Sequence, residues 1–337
     1  MALPQFPGDP PKDLSRPLRE VKILIDQRHD GARLDRALAD ILTWRSRTSI
    51  HRLIKEGFVD VQGENARPAS RVRCKDTVIV RIPKAPEPKA RVAPDADSIP
   101  VLHEDRWMVV IDKPAGILVH PAGRSLYGTV IHWLHERYRR PEEPEFDVVP
   151  RLLHRIDRET SGVLAAGLDE DFHGLVARQF EERKVRKTYL AVVHGRPDQD
   201  EGLIDLGIGP ARRSSVRLRL EARRDGSGQP ALTRYRFLRG TGQYSLVELH
   251  PRTGRTHQLR VHMAAIGCPL VGDKLYGHGD EIFLEHLRGE LSEENKEKLV
   301  LDRHALHSWR FRFFHPERGD EMEIEASLPQ DMEGLLD

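Results

Sequence analysis

HRIDRETSGVLAAGL, residues 154–168, packs four charged side chains and a histidine into the loop immediately before an apolar run. VLAAGL reads as a buried strand, so the charged cluster sits at a strand end. An aspartate held there between Arg155 and Arg158 stays ionised, its pKa lowered by the neighbouring cations. Taken alone, the stretch reads either as a site built around Asp157 or as a structural salt-bridge turn. A protein-kinase HRD loop is excluded, because there the aspartate follows the arginine directly and this chain has neither a DFG nor a glycine-rich loop.

Around that stretch lie further β-like runs, Trp107 to Ile111, Val163 to Leu168, Tyr189 to Val193 and Tyr244 to Leu249, interrupted by a few helical patterns. Strands and helices do not alternate strictly. The expected class is therefore α+β with a large mixed, mostly antiparallel sheet, rather than a doubly wound α/β fold. After the strand YSLVELHP, the sequence RTGRTHQLRVHMAAIGCP predicts a helix capped by Thr256, with Leu259, His262, Met263 and Ile266 inward and Gly267 and Pro269 as its stop. His257 and Arg260 share another face. A cation in the first turn opposes the helix dipole, so Arg260 requires an anionic partner, and Asp157 is the candidate. Two segments stand out by charge: 209–224 with six arginines against one glutamate, a candidate RNA contact, and 280–302 with eight acids against three bases, which has the periodicity of a solvated surface helix.

The 337 residues suffice for two domains. With 38% hydrophobic and 32% charged residues the chain is a folded protein with a heavily charged surface, and its net charge of +1 predicts neither nucleic acid nor membrane. Its distribution is more informative. Residues 31–84 hold 12 Lys and Arg against 6 Asp and Glu and read as helix, helix, strand, strand: Leu34, Leu38 and Ile41 line the first helix, Ser46 opens a second with Ile50, Leu53 and Ile54 inward, and Phe58 to Val61 and Thr77 to Ile82 follow. Arg45, Arg47, Arg52 and Lys55 lie off that apolar stripe, as a solvated face or a phosphate-contacting patch. The expected boundaries are a disordered arm at 1–20, a small domain at 21–84, a proline-rich linker at 85–98 and a second domain at 99–337. Cys74 and Cys268 belong to no CxxC, which argues for a reducing cytoplasm and against a disulfide scaffold or thiolate metal site, and no apolar run approaches a membrane span. His132, His135 and Glu136 in HWLHE have helical spacing but no third ligand, and no nucleotide-cofactor signature is present.

Two resemblances sharpen these expectations. ARLDRALADIL, SRTSIHRLIKEGFVDVQG and VRCKDTVIVRIP resemble the small RNA-binding domain named after ribosomal protein S-four. HRIDRETSG, RKTYLAVVHG at 186–195 and RTGRTHQLRVHMAAIGCPLVGDKLYG at 252–277 resemble, in order and spacing, the motifs of the RluA-type pseudouridine synthases. KPAGILVHP at 113–121, GQPALTRYRFL at 228–238 and HALHSWRFRFFHP at 304–316 fit the same family. The resemblance implies that Asp157 is the catalytic carboxylate, that Tyr189 stacks on a flipped uracil and assists the final proton removal, and that Arg260 pairs with Asp157. It implies that Arg155 fills the gap left by the extruded nucleotide, with His154, Arg158, Arg255 and His257 also at the substrate, although His154 and His257 read equally as structural hydrogen-bonding groups. No cofactor and no metal is expected, since the isomerisation transfers neither a redox equivalent nor a phosphoryl group. The implied partner is RNA, ribosomal RNA of the large subunit first and transfer RNA as the alternative, with a monomeric cytoplasmic enzyme; a non-catalytic RNA-binding assembly factor on the same scaffold is the rival. Ile156 stands where the family usually has Leu, a volume-conserving change, and the acidic stretch after GDKLYG is longer than the family pattern.

Overall fold

The computed structural model describes residues 20–42, 47–81, 99–121, 128–140, 142–143 and 146–337. Arg45, Ser46, Ile82, the arm at 1–19 and the 85–98 linker lie outside them. Backbone contacts divide the chain into two units, Met1–Arg91 and Val92–Asp337.

In the first unit, β1 (Glu20–Leu24) precedes α1 (Leu34–Ile41) and α2 (Arg47–Lys55), which lead to β2 (Val59–Val61), β3 (Glu64–Asn65) and β4 (Thr77–Arg81). The strands form one sheet in the order β1-β4-β2-β3. The sequence pattern misses β1, a five-residue strand in which Ile23 is buried while both ends are exposed. Leu34, Ala37 and Leu38 of α1 and Ile50, Leu53 and Ile54 of α2 close over the sheet at the expected spacing. Asp35 is buried beneath a bidentate contact from Arg33 (3.0 and 3.1 Å) with Arg47 at 3.4 Å. Arg47 is thus partly committed to the fold, whereas Arg52 and Lys55 stand exposed on α2.

The second unit runs β5 (Val101–Glu104), β6 (Met108–Lys113), α3 (Val130–Tyr138), β7 (Arg151–Leu152), β8 (Ser161–Gly167), α4 (Glu170–Glu181), β9 (Arg186–His194), β10 (Glu201–Asp205), β11 (Gly207–Pro210), β12 (Leu220–Arg223), β13 (Leu232–Gly240) and β14 (Tyr244–Pro251). It continues with α5 (Gln258–Ala265), α6 (Asp280–Arg288), α7 (Glu293–Leu299), β15 (Leu306–His315), β16 (Asp320–Glu325) and α8 (Gln330–Glu333). Ten of the described strands make one sheet whose main path is β10-β13-β14-β9-β15-β8-β6-β5. Every pairing in it is antiparallel except β15 with β8. The expected α+β class with a mixed, mostly antiparallel sheet is what the chain adopts. The acidic segment forms two short helices, α6 and α7, rather than the single helix its periodicity suggests.

Strand parity positions the chemistry. Along β9, Tyr189, Ala191 and Val193 face a core shared with Leu259 and Met263 of α5, while Leu190 and Val192 face Met332 of α8. Tyr189 is therefore placed on the α5 side of the sheet. Gly162 joins the charged loop to β8 with φ +105°, and a Cβ there would overlap the Ser308 carbonyl oxygen of β15. The glycine in HRIDRETSG thus lets the loop lie against the central strand.

Several histidines are buried as neutral rings. Burial lowers His154 to about 3 and His307 to about 4. A depressed folded-state pKa means that the unfolded chain binds the extra proton first, so this stability is complete above pH ~6.5 and is lost as pH falls through the folded values. Each ring should contribute about 2 kcal/mol of loss between pH 6.5 and 5. Urea midpoints should therefore drop between pH 7 and pH 5; a flat profile over that interval would mean the two rings are protonated in the folded protein.

Candidate active site

A cleft of about 1660 Å³ opens over the α5 side of the sheet, lined by the charged loop, the end of β14, the turn before α5, and parts of β9, α6 and β15. Twelve lysines and arginines against five aspartates and glutamates line it. The near-neutral whole chain thus concentrates positive charge where the charged loop lies.

Asp157 sits in that loop with 32% of its side chain exposed. Arg260 donates from Nη1 to Asp157 Oδ2 at 3.1 Å, and Oδ1 has no hydrogen-bond partner among the described residues. Burial raises this carboxyl, but the Arg260 guanidinium together with the nearby His257 and His304 outweighs it and leaves the group below its ordinary value, hence ionised near neutral pH. The flanking cations are not responsible. Arg158 turns away to donate to the Gly116 carbonyl at 2.8 Å, and Arg155 is exposed with no hydrogen bond among the described residues. The expectation that Arg155 and Arg158 hold the aspartate is corrected: both are cleft residues, and the charge comes from a helix 103 positions away.

Arg260 has the anionic partner that its place in the first turn of α5 demands, and it has two. Nε and Nη2 grip Asp273 bidentately at 2.7 and 2.9 Å, and only Nη1 is left for Asp157. Asp273 is fully buried, and its Oδ1 also accepts the backbone N–H groups of Leu275 and Tyr276 at 2.9 and 3.0 Å. Burial raises Asp273 and Arg260 overrides it, so the carboxyl lies well below the usual range. The Tyr276 ring lies 5.0 Å from the Arg260 guanidinium. A planar fork held on one side by a buried carboxylate and under an aromatic face has one free direction, toward Asp157.

Thr256 does not cap α5. The N-cap is His257, in the left-handed region at φ 55°, with its Nδ1 2.8 Å from the Tyr276 hydroxyl. Gln258 secures the turn instead: its Oε1 accepts from Thr253 Oγ1 and the Arg255 backbone, and its Nε2 donates to the Leu232 carbonyl. Burial, with Arg260 second, lowers His257 to about 4, so the ring is neutral. Arg255 lies in the cleft wall, its Nε donating to the Pro230 carbonyl at 3.1 Å. His154 accepts the Ala165 backbone N–H at 3.2 Å and stacks on Phe311 with ring centroids 5.0 Å apart. Those contacts make His154 a structural residue of the cleft floor rather than a substrate ligand.

Tyr189 is 6% exposed and lines the same cleft. Burial raises its phenol, and the Asp157 charge adds to the rise, so it rests as a hydroxyl. A role in taking a proton therefore requires that it first release its own.

Sequence reasoning missed two positions besides Asp273. Lys113 is fully buried, with Nζ donating to the carbonyls of Pro114, Ile117 and Arg158 at 2.7, 3.1 and 3.1 Å. It fastens the KPAGILVHP turn to the Asp157 loop. Glu159 accepts from Lys274 at 2.9 Å and from the His304 backbone at 3.2 Å. That pair ties the loop to the residues flanking Asp273. Among the described residues no group of three or more His, Cys, Asp or Glu could hold a metal, and no helix is long and apolar enough to cross a membrane.

Comparison with known proteins agrees with this geometry. The sequence profile described as RNA pseudouridylate synthase matches residues 107–265, a span that contains Asp157, Tyr189 and Arg260. The "Ribosomal large subunit pseudouridine synthase D" of Zymomonas mobilis is 36% identical over 91% of this chain and 93% of its own length. The protein of the same description from Neisseria meningitidis is 35% identical over 91% of this chain and 78% of its own. Among solved structures, human RNA Pseudouridylate Synthase Domain Containing 1 superposes with a TM-score of 0.54 at 26% identity, covering 72% of this chain and 89% of that one. With its sheet, its Asp157–Arg260 pair and these similarities, the chain belongs to the RNA pseudouridylate synthase family.

Proposed function

We propose that Asp157 carries the uridine-to-pseudouridine isomerisation in this enzyme and that its substrate is large-subunit ribosomal RNA. The single observation that carries the first part is the Asp157 carboxylate itself, ionised beside Arg260 and lining the cleft. The reaction breaks the C1′–N1 bond of uridine, turns the freed uracil and joins C5 to C1′; N1 gains a proton and C5 loses one, so the net change is an isomerisation. An anion beside C1′ stabilises the positive charge that develops there, whether or not it bonds covalently. The base must leave its stack to reach the carboxylate, at a cost of a few kcal/mol, and Tyr189 offers a face on which it rests. Arg155, exposed beside Asp157, is placed to fill the vacated position in the helix.

For the substrate, the support is the description of the Zymomonas and Neisseria relatives as ribosomal large-subunit enzymes, together with the exposed Arg52 and Lys55 on α2 of the first unit. Pseudouridine mapping of total RNA from cells lacking this protein should show loss of modification in large-subunit ribosomal RNA, restored by wild type. Loss confined to transfer RNA would move the substrate assignment. Loss restored by Asp157→Asn would end the catalytic one. Replacing Arg52 and Lys55 by alanine should flatten the dependence of log affinity on log salt by about 1 to 2, the size expected for two lost phosphate contacts. An unchanged slope would make that face merely solvated.

A further inference from the structure

Two neighbouring residues of one segment hold the two halves of the Asp157–Arg260 pair. Asp157 opens a tight turn, closed by the Thr160 backbone N–H on the Asp157 carbonyl at 3.2 Å. Each later residue of that turn is tethered. The Arg158 carbonyl accepts from Lys113 Nζ at 3.1 Å and from the Gly116 backbone at 2.9 Å. Glu159 accepts from Lys274 Nζ at 2.9 Å through one oxygen and from the His304 backbone at 3.2 Å through the other. Thr160 Oγ1 and His304 Nε2 lie 2.8 Å apart.

Lys274, only 5% exposed, directly follows Asp273. Asp273 grips Arg260, and Lys274 grips the turn that begins with Asp157. Consecutive Cα atoms stand about 3.8 Å apart across a planar peptide, so the two grips cannot drift independently. The segment is itself seated. Ala305 donates its N–H to the Val271 carbonyl at 2.8 Å, Lys274 Nζ also donates to the Asp302 carbonyl, and a Cβ at Gly272, φ +73°, would overlap the Arg303 carbonyl oxygen. Among the described residues the Asp157 carboxylate takes a hydrogen bond from Arg260 alone, at 3.1 Å. Its aim therefore depends on where its own backbone stands relative to that fork.

We propose that Glu159 and Lys274 are positioning residues for the isomerisation: their ion pair sets the Asp157 backbone against the Arg260 fork, with the Asp273–Lys274 step as the register between the two. The inference rests on the reading of Asp157 as the catalytic carboxylate. Neither side chain is hydrogen-bonded to that carboxylate, so the pair acts through the turn. A salt bridge that served stability alone could be exchanged for neutral groups at little cost. One that sets a register loses rate when it is exchanged, even in a protein that remains folded.

Glu159→Gln combined with Lys274→Met removes both charges at once, so neither is left uncompensated, and the new amide can still accept from the His304 backbone. The denaturant midpoint should stay close to that of wild type. On a transcribed ribosomal RNA fragment, KM should change by less than about threefold while the saturating single-turnover rate falls roughly a hundredfold. Introduced into Arg260→Lys, which has already lost the fork, the same double change should lower the rate by less than about tenfold more, because both alterations act on the aim of one carboxylate. Lys274→Met alone supplies the same split between rate and KM should the double variant fold poorly, since Glu159 is 25% exposed and can be hydrated. A wild-type rate in these variants overturns the proposal, as does a loss that multiplies in full with that of Arg260→Lys. A raised KM at unchanged saturating rate also overturns it and makes the pair an RNA-binding element. Failure of the underlying reading looks different: Asp157→Asn would itself stay active, whatever stands at 159 and 274.

Discussion

Asp157→Asn should abolish isomerisation while leaving the fold and RNA binding intact. The substitution keeps the shape of the side chain but removes the anion that faces C1′, and a catalytic carboxylate lost in this way costs on the order of a millionfold in single-turnover rate. Stability should change little, because Arg260 keeps its bidentate partner Asp273 and is not left as an uncompensated buried charge. Activity within tenfold of wild type, measured on a transcribed RNA fragment, would remove Asp157 from its role. Loss of RNA affinity in parallel with rate would make the carboxylate a binding group instead.

Asp273→Asn should give the opposite signature, a protein that is both less stable and slow. Removing one member of a buried ion pair typically costs 3–5 kcal/mol, because the partner stays behind without its counter-charge. Arg260 would retain only Asp157, which is partly exposed. Its fork would turn toward that carboxylate, and a catalytic group displaced by about 1 Å loses roughly a hundredfold in rate. Arg260→Lys should produce the same loss of rate through the other partner, since an ammonium cannot bridge two carboxylates with a planar fork. In both variants RNA affinity should change by less than about fivefold, a limit that separates misplacement of Asp157 from loss of a phosphate contact. Normal turnover with badly weakened binding would show that Arg260 holds RNA and that its pairing with Asp157 is incidental. Denaturant midpoints equal to wild type in Asp273→Asn would show that the buried pair does not brace the site.

The pairing of Asp157 with Arg260 was legible because each stands in a short run whose chemistry is local, whereas Tyr189 alone read as a core strand residue and was singled out only by the family resemblance. A charged loop precedes an apolar strand, and a cation opposes a helix dipole. The dipole argument also required an anion for Arg260, and it stopped at the first candidate. Asp273 escaped because GDKLYG reads as a turn, and nothing within six residues says that a turn aspartate is fully buried. Lys113 escaped for the same reason: at the end of the strand MVVIDK a lysine reads as a solvent-facing terminus, and only the fold brings three carbonyls to its ammonium. Thr256 was preferred to His257 as a cap by propensity, yet the left-handed backbone at His257 is held by Tyr276, 19 positions away.

Strand order has a consequence for when this enzyme comes into being. Asp157 and Tyr189 are 32 positions apart in sequence, but their strands β8 and β9 are not neighbours; β15 lies between them, with Ser308 paired to Gly162 on one side and to Tyr189 on the other. A nascent chain that has just produced both residues can pair β5, β6, β7 and β8, but it has no strand to set β9 beside β8. Non-local strand pairing waits for its partner to emerge and pays loop-closure entropy when it does. The two sides of the cleft therefore meet only after residues near 308 have left the ribosome, so an unfinished chain is an inactive one.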